Sequence, residues 1–508
     1  MKIGQPAAFV VRKVKNKGYS QAGASYEKRS LKGFLASSGS AQEDIDFNNY
    51  TLRQRARILY MASPLATSAI KTNRTNVIGS GLRLKAKIDR ELLGMDEETA
   101  YKWQRNAEKE FALWAENRHA CDITGLNDFY EMQQLALMAW LTSGDVFAVF
   151  KWQEQSPANP YNTCLHIIEA DRVATPTEAK NGKFRLYTEG TNEENGNKIH
   201  DGVEVDAAGK VVAYWIRSTY PLSMLDFSQT EWTRIEALGK DTGLPNILHI
   251  MESERPDQYR GVTFLAQVIE PLLQIRRYTE SELTAAIIES FFTAWIKTEA
   301  NTDTPPMGEA GPDGMDPVPR GENDFHMGPG TAHILKPGED VVFGEPKRPA
   351  SGFGNFVRVL AEEVGAALEV PADILLKSFN SSYSASRGAL LEAWKAFKMR
   401  RTWFSNDFCK PVYEQWLAEA VAKGRIQAPG FFGDPLIRKA WSGSEWNGPG
   451  QGTLNPVQEV QAEVLACQNG MSTREQSTVR LNGGDYNANV EALSRENAQL
   501  QLAAYKED

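Results

Sequence analysis

Residues 271–297 read PLLQIRRYTESELTAAIIESFFTAWIK. Leu272, Ile275, Leu283, Ala286, Ile287, Phe291, Ala294 and Trp295 are spaced by threes and fours, which keeps one apolar stripe on a helix. Pro271 opens this run or kinks it. At 1.5 Å per residue the run would extend on the order of 40 Å, longer than an ordinary globular helix. The next 51 positions, 299–349, hold nine prolines and eight glycines, too dense for a helix or a central strand. Inside them only residues 332–335 and 341–343 read as strands, and acids outnumber bases ten to four. A disordered acidic loop and a functional excursion are both open for such a segment.

The chain then returns as a helix with Phe353, Phe356, Val357, Leu360, Val364 and Leu368 on one face. Pro371 stops it, because its ring disfavours helical backbone in the residue before it. Residues 374–383, ILLKSFNSSY, read as a polar loop with Lys377 and Phe379 near its tip. Ser384 or Ser386 is expected to cap a final long helix reaching Gly424. That helix steps through Leu390, Leu391, Trp394, Phe397, Phe404, Phe408, Val412, Tyr413, Trp416, Leu417 and Val421, and Pro411 is expected to bend it.

Arg260-Gly261-Val262 ahead of the helix with Leu283, Ala285 and Ala286, then Tyr383-Ser384-Ala385-Ser386-Arg387 with Glu392 and Trp394, then Pro411-Val412-Tyr413-Glu414-Gln415-Trp416-Leu417 form a specific set. Together with Arg53-Gln54-Arg55-Ala56-Arg57 and Asn76-Val77-Ile78-Gly79-Ser80-Gly81, they resemble the lambda-type portal proteins of tailed bacteriophages from about residue 40 onward. The resemblance implies an α+β portal fold in a ring homo-oligomer. Its parts would be a basic, flexible N-terminal arm (1–43), an α/β wing (44–262), stem helices (263–298 and 350–371), and a Pro/Gly-rich clip (299–349). A tunnel loop (372–384), a long helix (385–424), and a wing return with helical C-terminal crown (425–508) would complete it.

Composition agrees with a large cytosol-made structural chain. At 508 residues and 42% hydrophobic content it can bury a sizeable core in two to four structural units. No run of eighteen apolar residues occurs, and the N-terminus lacks a signal peptide's apolar core. Cys121, Cys164, Cys409 and Cys467 have no CxxC spacing, so neither a zinc site nor a disulfide framework is indicated. Residues 1–40 carry eight Lys/Arg against Glu27, whereas the whole chain is −9. The arm is either simply solvated or docks on an acidic partner or nucleic acid.

Elsewhere the reading is local. Glu43-Asp44-Ile45-Asp46 reads as neighbouring acids on a solvated turn rather than a metal site. Helices are expected over 52–61, 63–78, from Asp96 past Trp114, and over 126–142. Strands are expected over 82–88, 146–152, 164–169 and 247–251, with a hairpin from Ile199 to Arg217 turning at 206–209. Beyond Gly424 a Gly/Pro/Trp-rich layer and three short helices follow.

Catalytic patterns are missing. No Gly-Lys pair has a glycine five positions upstream, so there is no phosphate-cradling loop, and neither G-x-S-x-G nor H-E-x-x-H occurs. The six histidines are scattered and no cofactor or metal is expected. Non-enzymatic, mechanical work remains. The resemblance implies a channel at one capsid vertex, in rings of about twelve copies, assembled in the bacterial cytoplasm and retained in the virion. It would pass double-stranded DNA without reading sequence, dock the terminase large subunit and then head-completion or tail-adaptor proteins, and adjoin major capsid and scaffold proteins.

A mostly acidic wall would let DNA slide, where many Lys/Arg contacts would hold it. Lys377 is the leading candidate to touch the duplex and Phe379 to grip it sterically, within the loop Lys377, Ser378, Phe379, Asn380, Ser381, Ser382 and Tyr383. Arg387, Lys395, Lys398, Arg400 and Arg401 would line the channel or pair with a neighbouring subunit. Arg320, Glu322, Asp324, Glu339, Asp340 and Glu345 are the clip residues expected to meet partners. Two alternatives are another virion component, such as a head-tail adaptor or baseplate protein, and a metal-dependent nuclease, which would need clustered carboxylates.

Overall fold

The computed structural model describes residues 23–26, 28–34, 37–176, 189–221, 223, 229–290, 294–298, 339–343, 353–379, 382–453 and 455–504. At 288–290, 294–298, 339–343, 383 and 502–504 the backbone alone is described. The expected strand at 332–335 and most of the basic arm lie outside these residues. The chain divides into two compact units, one of Met1–Thr51, Asp171–Ala237 and Glu252–Gly261, the other of Leu52–Ala170, Leu238–Met251 and Val262–Asp508. Helices and antiparallel sheet are mixed throughout, as an α+β chain requires.

The first unit is built on a five-stranded antiparallel meander: Glu189–Thr191, Lys198–His200, Val203–Val205, Val211–Arg217 and Trp232–Glu236. The single hairpin expected from Ile199 to Arg217 is therefore two hairpins. Asp201 at φ 41° and Gly202 at φ 87° supply an extra two-residue turn, the backbone that fits the right-handed twist of the flanking strands. Glu204 is wholly buried in this sheet. Its carboxylate accepts from Arg234 at 2.8 and 3.0 Å, from Trp215 Nε1 at 3.0 Å, and from Asn192, Asn195 and Asn197. Burial alone would raise its pKa, but those donors outweigh burial and bring it down to about 2. Arg260 is also fully buried and donates to the carbonyls of Val173 and Asp201 and to the Asp201 carboxylate. In the acidic stretch Asp46 is buried, not solvated, and Asp44 accepts from Arg255 at 2.6 Å.

The second unit has an aromatic centre. Phe111 meets Trp416 at 5.1 Å, Trp114 at 5.5 Å, Phe129 at 5.6 Å, Tyr413 at 5.7 Å and Trp446 at 5.8 Å between ring centroids. Two helices bring Phe111, Trp114 and Phe129 there. Glu97–Ala115 is capped by Asp96, which accepts from Thr99 N at 2.9 Å, and Phe129–Ser143 begins with an Asp128/Glu131 capping box. Beside them Thr163–Glu169, Asp145–Trp152 and Ile247–Met251 form an antiparallel sheet. The alternating stretch at 82–88 contributes Arg83–Ala86, which pairs with Ser444–Asn447 from the far end of the chain. Pro64–Asn73 continues as a π-turn, Arg74–Ile78, and ends at Gly79 and Gly81. At Gly81, with φ 116°, a Cβ would sit 2.4 Å from Tyr130 Cβ, so only glycine fits.

The opening stretch departs from expectation. Ile269–Ser290 is a helix, but Ala294–Thr298 is a strand paired antiparallel with Glu339–Phe343, from Ala294 opposite Phe343 to Thr298 opposite Glu339. The helix expected to reach Lys297 thus gives way to a strand from Ala294, and Phe291 lies outside the described residues. A short aromatic and β-branched run fits a strand as well as a helix, and the partner at 339–343 supplies the ladder.

Phe353–Ala367 forms the expected return helix and stops before Pro371. The expected loop at 374–383 begins instead inside a short helix, Ala372–Leu375, that buries Ile374 and Leu375. The cap of the following helix, Tyr383–Phe404, is Ser382, which accepts from Ala385 N, rather than Ser384 or Ser386. A π-turn, Ser405–Cys409, joins it to Lys410–Ala422. Pro411 has no N–H to donate to the carbonyl four residues back, and a widened turn beside it absorbs that loss. After Pro435–Trp441, the C-terminal helices Pro456–Gln468, Arg474–Asn482 and Tyr486–Ala504 are seated by polar contacts, including Lys85 to Asp485 at 2.8 Å and Tyr101 to Glu491 at 2.6 Å.

Candidate DNA-channel surface

Lys377 sits where the Ala372–Leu375 helix unwinds. Ser378 N donates to Asp373 O at 3.0 Å across a left-handed Lys377 at φ 55°, the geometry that ends many helices on glycine. A lysine there bears a cost of about 1–2 kcal/mol. The turn is braced from the Pro64–Asn73 helix: Ser68 Oγ donates to Leu375 O at 2.7 Å, and Lys377 Nζ donates to Thr72 Oγ1 at 3.0 Å. Lys377 remains exposed, as does Phe379, which is 63% accessible. Ser382 is used as a helix cap, Ser378 is half-buried, and Asn380, Ser381 and the Tyr383 side chain lie outside what is described.

The five basic candidates separate sharply. Arg400 is buried and bonds Glu369 at 2.6 Å and Asn73 at 3.1 Å, with its guanidinium 4.8 Å from the Phe264 ring centre. Arg401 donates to three carbonyls, Asn76 at 2.7 Å, Val77 at 2.9 Å and Pro449 at 2.9 Å. Burial pushes its pKa down to about 10. Both are internal ties of one subunit, which corrects their assignment to a channel wall or a neighbour. Arg387 bonds Glu459 at 2.5 Å and Lys395 bonds Glu392 at 2.6 Å, both within the chain, while both stay accessible. Lys398 is exposed beside Trp394 and Glu445.

Of the clip candidates, Glu339 and Asp340 lie on the strand opposite Thr298 and Lys297. Arg320, Glu322, Asp324 and Glu345 lie outside the described residues. Cys121, Cys164 and Cys409 are buried, and burial raises each thiol, Cys164 to about 11. Among the described residues no helix is long and apolar enough to cross a membrane.

The sequence reading missed one feature beside Lys377. Thr67, Ser68, Lys71, Thr72 and Thr75 share a face of the Pro64–Asn73 helix and its π-turn, and with Lys377 they line a groove of about 450 Å³. The signal available in sequence was a hydroxyl and lysine face with no acid.

Residues 27–401 match the family described as phage portal protein, lambda family. Portal protein B of Escherichia phage lambda is 23% identical over 93% of this chain and 89% of its own length. The portal protein of Escherichia phage N15 is 23% identical over 96% and 91%, and a probable portal protein of Halomonas phage phiHAP-1 is 25% identical over 81% and 74%. A solved chain from the neck of a native GTA particle, computed with C12 symmetry, aligns over 85% of this chain and 92% of its own, at 12% identity and a TM-score of 0.44. On the strength of the match across residues 27–401, this chain belongs to the lambda family of phage portal proteins, a structural rather than an enzymatic family.

Proposed function

We propose that copies of this chain close into a ring, of about twelve in the family's working form, whose axial channel passes double-stranded DNA into and out of the capsid. The observation that carries this reading is an apolar stripe left in water. Leu283 is 62% exposed, Ile287 50%, Phe356 47% and Val359 53%, on Ile269–Ser290 and Phe353–Ala367. The two helices do pack on each other, with Tyr278 4.8 Å from Phe356 and 5.5 Å from Phe353 between ring centres. Those four residues nevertheless keep roughly half of their surface in water. Burying a Leu, Ile, Val or Phe side chain contributes about 1.5–3 kcal/mol, so a second copy covering this stripe gains several such increments. A closed ring leaves no subunit with an uncovered face.

DNA enters the reading through charge. A chain at −9 lines a duct without holding the duplex, and a few exposed cations such as Lys377, with Phe379 beside it, give transient contact. The Pro/Gly-rich segment, closed at its base by Ala294–Thr298 and Glu339–Phe343, would carry acidic side chains to the terminase large subunit and later to head-completion proteins. The ring would be assembled in the bacterial cytoplasm, beside scaffold and major capsid protein, and would persist at one vertex of the virion. Leu283→Glu with Ile287→Glu tests the stripe. The expected outcome is a folded chain, by circular dichroism, that no longer assembles; rings of unchanged mass would overturn the reading.

A further inference from the structure

We infer that the groove between the Pro64–Asn73 helix and the Lys377 turn is an anion site that receives a backbone phosphate of the DNA, held by Lys71 and Lys377 together. The inference rests on the channel reading and assigns that site's second cation. Its first support is composition. No residue lining the groove carries a carboxylate, in a chain whose acids outnumber its bases by nine. Neither ammonium has a carboxylate partner among the described residues, although other exposed lysines, such as Lys102 and Lys395, do.

The second support is the way the groove assigns its protons. Thr67 Oγ1 donates to Tyr60 O, Ser68 Oγ to Leu375 O and Thr75 Oγ1 to Lys71 O, so these three hydroxyls have turned their hydrogens inward. The charged donors left for an anion are the two ammonium groups, beside the hydroxyl of Thr72, which accepts from Lys377 and keeps its own proton. An ammonium has three N–H donors; Lys377 gives one to Thr72 and keeps two for phosphate oxygens. The left-handed backbone at Lys377 is the third support, since it places a lysine where glycine would sit without strain and aims its amine back at the helix bearing Lys71. A phosphodiester is the occupant that two point charges suit, because lysine recognises phosphate without fixed geometry and reads no sequence.

The test uses full-length protein and short linear duplexes of two unrelated sequences. Ring mass is measured by light scattering, and affinity is measured from low to physiological salt. A lysine on a phosphate contributes about one to the slope of log affinity against log salt. Lys71→Gln and Lys377→Gln should each make the slope shallower, the double variant by at least about one, equally for both sequences and with the ring intact. Thr72→Val, which keeps both charges, should leave the slope unchanged. An intact ring whose slope is unaltered in the double variant overturns the inference. Loss of the ring in the double variant also overturns it, assigning the lysines to carboxylates of a neighbouring copy. A wild-type chain that forms no ring sinks the channel reading itself, a result separate from either of these.

Discussion

The run from Tyr383 to Ala422 has two halves that look alike in sequence and live in different surroundings. In the second half Phe404, Phe408, Val412, Tyr413, Trp416, Leu417 and Ala420 are all fully buried. In the first half Leu391 is 44% and Met399 38% exposed, and Lys395 and Lys398 face water. The first half thus buries one face, through Ala393, Trp394 and Phe397, in the same core and presents the other face to water, whereas the second half is buried along most of its apolar residues. Ile269–Ser290 and Phe353–Ala367 extend the contrast, with Leu283 62% and Phe356 47% exposed. On the proposed ring, fold stability and assembly would fall to different parts of one molecule, and substitutions should separate them.

The largest effect is expected at the aromatic centre. Phe111→Ala removes a ring that touches five others and should cost about 3–5 kcal/mol, read as a lowered denaturation midpoint. Next is Arg401→Met, which deprives three carbonyls of their donor and should cost about 3 kcal/mol. If Arg401 faced a channel, the same change would leave the melting temperature in place, and the division between interior and surface would fail at that residue.

A buried charge sharpens the contrast through pH. Glu204 has a folded pKa of about 2, below the ordinary 4.5. Its contribution to stability is fully present above 4.5 and is lost as pH falls through about 2, because there the folded carboxyl takes up the proton it resisted. Between these limits the stabilisation changes by on the order of 3 kcal/mol. Acid titration of the wild type should show this slope, and Glu204→Gln should flatten it. The smallest effect on stability is expected at the surface half: Leu391→Ser should change the midpoint by no more than about 0.5 kcal/mol.

Parts of this organisation are local enough to read from residues alone. Asp96 as a cap, the strand at 247–251 and the helix stop before Pro371 each depend on a few adjacent side chains. The resemblance carried the family as well, because its blocks are backbone turns and packing residues such as Gly79, Gly81 and Arg260. The Asp201-Gly202 turn was also within reach, since Asp-Gly between apolar runs is a strong hairpin signal. Residues 294–298 were not, because five residues rich in aromatic and β-branched side chains satisfy both periods and only the distant partner at 339–343 decides between them. Arg400 and Arg401 were read as surface cations for a similar reason. Their partners, Asn73, the carbonyls of Asn76 and Val77, and the Pro449 carbonyl, are distant in sequence and close only after folding. Lys71 went unnoticed because a helix face of hydroxyls and one lysine gains meaning only when Lys377 is brought beside it.

The central claim is that the apolar stripe of Leu283, Ile287, Phe356 and Val359 is covered by a second copy in a closed ring. The mass of the purified full-length chain by light scattering, with electron-microscope imaging of the same peak, tests it most directly. The account predicts a single closed ring of about twelve copies with an axial hole. A monodisperse monomer that keeps the stripe in water at every concentration tried would contradict it.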